Sequence, residues 1–343
     1  MSHPNLIALD LAKNVIEVTV EDLSCNKIKL NKKVNRKRLS KFLAKQPPTT
    51  IAMEACSGAH YWTWIAEAHG HEVILLPPHH VAPYRQGHKT DENDNEAILA
   101  AAKRPKRKEA VKKTPEQLEL QVLLGVRRHY SDDKRRWSQS IRGQLAEFGV
   151  VIPKSYAALK RRVPEVLEDA ENGLPCRLRA LIHRQYESFL EAERQLGELE
   201  REVTVVSRQT DACRRLCALE GVGPVNAIGL YTRIGNGQAF HDGRQASAYI
   251  GNTPQQHSTS GVANIGHIRK KYVDKQFRAS LLQGARSVVY KLRHKPPTTA
   301  TQRWLKDIIA RRGEKVAIVA LANKNTRIAW ALLKTGEEYV PAA

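Results

Sequence analysis

Residues 5–20, Asn5-Leu-Ile-Ala-Leu-Asp10-Leu-Ala-Lys-Asn-Val15-Ile-Glu-Val-Thr-Val20, decide how the first third of this chain is read. Asn5 to Ala12 is an apolar run broken only by Asp10, the pattern of a buried strand, and Val15 to Val20 alternates apolar and polar residues as a second strand should. A carboxylate inside the first run must be hydrogen-bonded, paired or bound to metal, because a bare buried charge is costly. Working outward, Lys27 to Val34 is a third strand at the sheet edge. Arg36 to Lys45 is a short basic helix stopped by Pro47 and Pro48. Thr50 to Glu54 is a strand, Ala59 to His69 a helix stopped by Gly70, and Glu72 to Leu76 a strand. Pro77 to Lys89 reads as loop and Glu92 to Ala102 as helix. This order predicts an α/β domain, a mixed sheet with covering helices.

At 343 residues the chain is too long for one ordinary core. It is 41% apolar and only 6% aromatic, and 56 lysines and arginines against 35 acids give a formal charge of +21. So positive a balance attracts polyanions, which makes nucleic acid the leading partner. The basic residues are spread over the whole chain, which argues against a membrane-surface role. No apolar run approaches the roughly 20 residues of a membrane span, and Asp10 comes too early for a secretory leader. A cytoplasmic, nucleoid-associated protein is the expectation. The cysteines (Cys25, Cys56, Cys176, Cys213, Cys217) are odd in number and scattered, and read as reduced, mostly buried thiols.

The basic stretch Lys103 to Lys113 marks a boundary or an exposed arm. Beyond it, Pro115 to Gly149 is helical, with Leu118, Val122, Val126 and Tyr130 on one face. Leu178, Ile182, Phe189, Ala192, Leu196, Leu199, Val203 and Val206 recur at spacings of three and four along a second long helix. That seam predicts a coiled coil or a long helical hairpin, and its narrowness favours a partner subunit over packing within one chain. From Asp211 the pattern is helix, Gly221-Val222-Gly223-Pro224 turn, helix, then a short helix from Phe240 to Tyr249. Gly251 to Ile268 is a polar, glycine-rich loop, and helices over Lys275–Arg293, Gln302–Arg311 and Glu314–Lys334 close a mainly α region. The division predicted is 1–110 for the sheet domain, 111–211 for the helical segment and 212–343 for the C-terminal domain.

The chemistry lies in four acids. Asp10 interrupts one apolar strand and Glu54 ends another. Asp91 and Asp94, three apart, share one face at a helix start, where the helix dipole also favours them. If the strands of Asp10 and Glu54 are neighbours, the acids converge at one end of the sheet. Two carboxylates about 4 Å apart repel by about 4 kcal/mol at an effective dielectric near 20, so the cluster demands cations. Oxygen ligands of this kind select Mg²⁺ or Mn²⁺, and two such ions serve phosphodiester chemistry.

The segments Leu9-Asp10-Leu11-Ala12-Lys13, Ala52-Met53-Glu54-Ala55-Cys56 and Lys89-Thr90-Asp91-Glu92-Asn93-Asp94-Asn95-Glu96-Ala97-Ile98 resemble the DEDD signature of bacterial insertion-sequence transposases. That family includes the pilin-gene invertases, and the resemblance covers almost the whole chain. It implies an RNase H-like, RuvC-like N-terminal fold with metal-binding roles on Asp10, Glu54, Asp91 and Asp94. It implies a serine nucleophile in the loop Gly251 to Gly261. Ser258, after Gln256-His257, is the first choice and Ser260, before Gly261, the alternate. The family's usual serine-lysine-arginine-glycine stretch is replaced by His267-Ile268-Arg269-Lys270-Lys271-Tyr272. The resemblance also implies an element-encoded guide RNA and a composite site shared between subunits, as dimers pairing into a tetramer on DNA.

Other features stay open between two readings. The Gly221-Val222-Gly223 turn either presents amides to a phosphate, as helix-hairpin-helix modules do, or is a tight turn. Arg278, Arg286, Lys291, Arg293, Arg311 and Arg312 read as a backbone-binding set. The rival functions are a RuvC-like junction-resolving nuclease, which has no use for Ser258, and a non-catalytic nucleic-acid-binding protein.

Overall fold

A computed structural model describes residues 5–86, 91–259, 262–268 and 271–341; Ser260 and the side chain of Asp91 lie outside the described residues. The chain divides into two compact units. Unit 1 takes Met1–Gln117, Arg233–Ala279 and Thr326–Thr335; unit 2 takes Leu118–Thr232, Ser280–Asn325 and Gly336–Ala343.

Unit 1 is built on a five-stranded sheet of order β3-β2-β1-β4-β5. Its strands are β1 (Asn5–Asp10), β2 (Val15–Asp22), β3 (Lys27–Asn35), β4 (Thr50–Glu54) and β5 (Glu72–Leu76). The first three form an antiparallel meander, and β4 and β5 continue from β1 in parallel. Strand alternation sends Ile7, Leu9, Ile51 and Met53 into one core with Leu39, Leu43, Trp62 and Ala66, from α1 (Arg36–Ala44) and α2 (Ala59–Ala68). Leu6, Ala8 and Ala52 face the other way, onto Ala97, Ile98 and Ala101 of α4 (Asp91–Lys103). A mixed sheet covered on both faces is what the strand and helix signals predicted.

The structure differs from the sequence reading in several places. The polar side of β2 is buried rather than solvated: Glu17, Thr19 and Glu21 are at most 8% exposed. Polar partners make this burial tolerable, since Asn95 of α4 donates to Thr19 Oγ1 at 3.1 Å and Lys103 to Glu21 Oε1 at 2.8 Å. The segment after β5 is not all loop; α3 (Pro78–Val81) and a 3₁₀ turn over Ala82–Tyr84 form there, begun by a proline at the first helical position. The stretch after α10 (Gly243–Ile250) is an antiparallel ribbon of β6 (Pro254–Thr259) and β7 (Val262–Ile268), not a loop. Its described side chains include Ile265 at 70% exposed, and its polar sequence shows no alternating hydrophobic pattern, so backbone pairing identifies it. The cysteines are all free, but Cys25, Cys56 and Cys176 are exposed rather than buried.

Unit 2 is helical. Its long elements are α5 (Pro115–Ala146), α6 (Tyr156–Glu168) and α7 (Cys176–Gln209), followed by α8 (Asp211–Leu216) and α9 (Pro224–Ile234). Part of the α7 seam packs within the chain: Ile182 and Phe189, both 0% exposed, join Ile141 and Leu145 of α5 with Leu159 and Val163 of α6. The helix α6, unforeseen in the sequence, supplies that cover. Farther along, Lys134 and Arg127 of α5 pair with Glu193 and Glu200 of α7 at 2.8 and 2.6 Å. Leu196, Leu199 and Val206 stay half-buried, and Val122 and Val126 of α5 are 58% and 38% exposed. A second core joins parts of α11 (Lys275–Lys291), α12 (Ala300–Arg312) and α13 (Glu314–Thr335) through Val289, Leu305 and Leu321. No described helix is long and apolar enough to cross a membrane.

Candidate functional site

Asp10 and Glu54 are the last residues of β1 and β4, which run in parallel with Leu9 beside Met53. One further step along both strands sets the two acids next to each other. Alternation puts both on the sheet face that α4 covers. The Cys56 thiol, exposed at its surface but partly desolvated, has its pKa raised first by that desolvation and then by Glu54 and Asp10, while Arg36 opposes them.

Asp94 arrives from α4. It is 9% exposed and forms an ion pair with the Arg85 guanidinium, which stands in the segment before the helix. Asn95 beside it is 1% exposed and anchors the helix to β2 through Thr19. Asp91 begins the same helix. The fold thus makes Asp10 and Glu54 neighbours and sets Asp94 on the helix above their face. Among the described residues no three His, Cys, Asp or Glu side chains stand close enough together to hold an ion. The donors these acids offer are carboxylate oxygens, the type a hard divalent cation takes, and Asp94 is ion-paired with Arg85.

Sequence reasoning missed Glu17. It sits on β2 directly opposite Asp10 and is 8% exposed, with Lys33 of β3 at 3.8 Å in the same cross-sheet row. Only the register shows this, because nothing local distinguishes Glu17 from a solvated glutamate. Arg85 and Arg36 were missed for the same reason.

Ser258 lies on β6, paired with Ala263 of β7; its side chain is exposed and its Oγ accepts from Gln256 Nε2 at 3.2 Å. The ribbon is anchored at its base. Asn252, 0% exposed, donates to Thr326 Oγ1 at 3.0 Å, and Arg278 donates to the Gly251 carbonyl at 3.3 Å. Gly251 has φ +88°, and a Cβ there would meet Val273 at 2.7 Å, so glycine is required. Beyond the ribbon, Tyr272 stacks on His79 of α3 with ring centroids 4.5 Å apart.

The Gly221 turn packs closely on α11. A Cβ on Gly284 of α11 would lie 2.1 Å from the Gly221 carbonyl oxygen, so the two backbones touch where neither has a side chain. Within the basic set, Arg293 is held by Glu314 at 2.5 Å and Arg278 by Gly251.

Comparison with known proteins gives a consistent result. Residues 7–149 match a DEDD transposase family, and residues 213–302 match one described as "Transposase IS116/IS110/IS902 family". The "Probable family 20 transposase" of Pseudomonas aeruginosa is 36% identical over 336 residues, covering 98% of each chain. The "Transposase for insertion sequence element IS1111A" of Coxiella burnetii is 32% identical, over 99% of this chain and 92% of that one. The "Transposase for insertion sequence element IS1328" of Yersinia enterocolitica is 32% identical, over 98% of both.

Proposed function

Because the chain belongs to the IS116/IS110/IS902 family of transposases, we propose that it cuts and rejoins DNA with carboxylate-held Mg²⁺ or Mn²⁺ and a serine nucleophile. The observation that carries this reading is the placement of Asp10 and Glu54 at adjacent strand ends under α4. With Asp94 on that helix and Asp91 at its start, they would hold the cation. A cation bound there supplies positive charge to the phosphodiester oxygens and eases departure of the leaving oxygen.

Ser258 is the proposed nucleophile, with Ser260 the alternate. As Ser258 Oγ bonds to phosphorus it loses its proton, the bridging P–O bond breaks, and the departing strand oxygen takes up a proton. The product is a serine–phosphate ester that a second strand end can resolve. The charge of +21 supports DNA and structured RNA as partners. The half-buried remainder of the α7 seam and the exposed valines of α5 support assembly of several copies.

The test is a denaturing gel for covalent protein–DNA adducts. Ser258→Ala should abolish adducts and strand exchange while nucleic-acid binding persists. An adduct lost only in Ser260→Ala moves the nucleophile two residues along. Ser258→Ala mixed with Asp10→Ala regains activity if the site is shared between subunits. DNA cleavage by wild type without any adduct, under Mg²⁺ and Mn²⁺ alike, overturns the serine step.

A further inference from the structure

A cavity of about 400 Å³ opens beside the two strand-end acids. Its wall begins with Leu11, one residue past Asp10, and with Cys56, two past Glu54; Lys13, Arg36, Ser57 and Gly58 complete most of it. Among the described residues its lining includes two cations, one hydroxyl and no carboxylate. Arg36 and Lys13 have no acidic partner among the described residues.

Arg36 is fixed rather than trailing in solvent. Its guanidinium donates to the Ala12 carbonyl at 3.2 Å and lies over the Trp62 ring, 5.4 Å from the centroid. It also packs against Gly58, where a Cβ would stand 3.0 Å from Nη2. Gly58 has φ +87° and caps α2 without any side-chain acceptor, so the first amides of that helix have no side-chain partner. A guanidinium held by its back edge and by an aromatic face keeps its remaining N–H groups for a ligand.

Donors and positive charge without a carboxylate select an anion, and the place selects which one. A nucleic-acid strand approaching Asp10 and Glu54 brings phosphates into a field of like charge, which a neighbouring cationic seat offsets. We infer that this cavity seats a backbone phosphate of the strand, next to the one that reacts, with Arg36 as principal ligand and Lys13 as second. The inference rests on the carboxylate reading above. Arg36 then sets the register of the strand against the acids.

The test reads binding rather than turnover. Full-length protein in EDTA is titrated against a fluorescein-labelled single-stranded thymidine 20-mer, by anisotropy, over a series of salt concentrations. Arg36→Gln should weaken binding by about tenfold at low salt and reduce the log–log salt slope by about 0.7, the value for one single-strand phosphate contact. Arg36→Lys should recover the slope but not all the affinity, because the charge returns without the planar fork. Lys13→Gln, exposed and outside the core, gives a smaller change of the same kind and covers the case in which Arg36→Gln fails to fold. Arg201→Gln, on an exposed face of α7, should leave the slope near wild type. Wild-type affinity and slope in both folded Arg36→Gln and Lys13→Gln overturn the inference. A wild type that binds no oligonucleotide at any salt overturns the functional reading instead.

Discussion

Replacing Gly284 by alanine tests how closely the Gly221 turn packs on α11. The added Cβ would stand 2.1 Å from the Gly221 carbonyl oxygen and 2.9 Å from Asn226 Nδ2, where contacts normally exceed 3 Å. Neither neighbour yields easily. Gly221 is backbone at φ +82°, and Asn226 is tied to Ser280 twice, donating to its carbonyl at 3.2 Å and accepting from its hydroxyl at 2.7 Å. The turn must therefore separate from α11 by about an ångström, an overpacking cost of about 3 kcal/mol or slightly more. Gly125, inside α5 with nothing within 4 Å of its ideal Cβ, is the matched control. There alanine should stabilise by about 0.5–1 kcal/mol, through helix propensity alone. At about 2–4 °C per kcal/mol, Gly284→Ala should melt about 6–12 °C below wild type and Gly125→Ala about 1–4 °C above it. Circular-dichroism melts read both. Equal melting temperatures for the two variants would refute the close approach.

Three further outcomes are expected. Asp10→Asn relieves repulsion with Glu54, so the apo protein should melt at or up to about 2 °C above wild type. The same variant should lose most of the Mg²⁺-induced rise in melting temperature, and a marked loss of apo stability would assign Asp10 a structural role. Arg85→Met removes the cation paired with the buried Asp94, costing about 1–3 kcal/mol in EDTA, and Mg²⁺ should recover part of it; equal losses with and without Mg²⁺ would separate Asp94 from the metal. His60, lowered to about 4 by burial and secondarily by Lys113, stays neutral in the folded protein while the unfolded ring titrates near 6.5. Its contribution is complete above pH 6.5 and is lost as pH falls toward 4, about 1–2 kcal/mol after allowing for a half-exposed, solvent-screened ring. Urea melts of His60→Gln across pH 4–7 should lack that part of the slope.

The sheet was legible because each strand carries its own signal. The apolar runs around Asp10 and Met53 and the caps at Pro47 and Gly70 are local facts, and the acids stand out against them. What escaped needed three dimensions. Glu17 looks like the solvent side of an alternating strand until α4 is laid over it, and Arg85 lies nine residues from the carboxylate it pairs with. The β6–β7 ribbon has no hydrophobic period, so its hydrogen bonds announce it only once formed. Half of the α7 seam was read for a partner subunit because nothing near it indicated that α6 would cover Phe189.

The unit that carries the acids is stitched from three separate stretches of chain, the last being Thr326–Thr335. Roughly 220 residues lie between α4 and Thr326, and a ribosome adding about 5–20 residues per second needs ~10–40 s to cross them. During that interval the nascent chain holds its carboxylates but cannot finish the body around them. Asn252, at the foot of the serine ribbon, finds its Thr326 partner only near the close of synthesis. A product stopped just before Thr326 would therefore carry the acids and Ser258 on an unfinished scaffold. The sheet unit of this transposase is therefore complete only once its message has been read almost to the end.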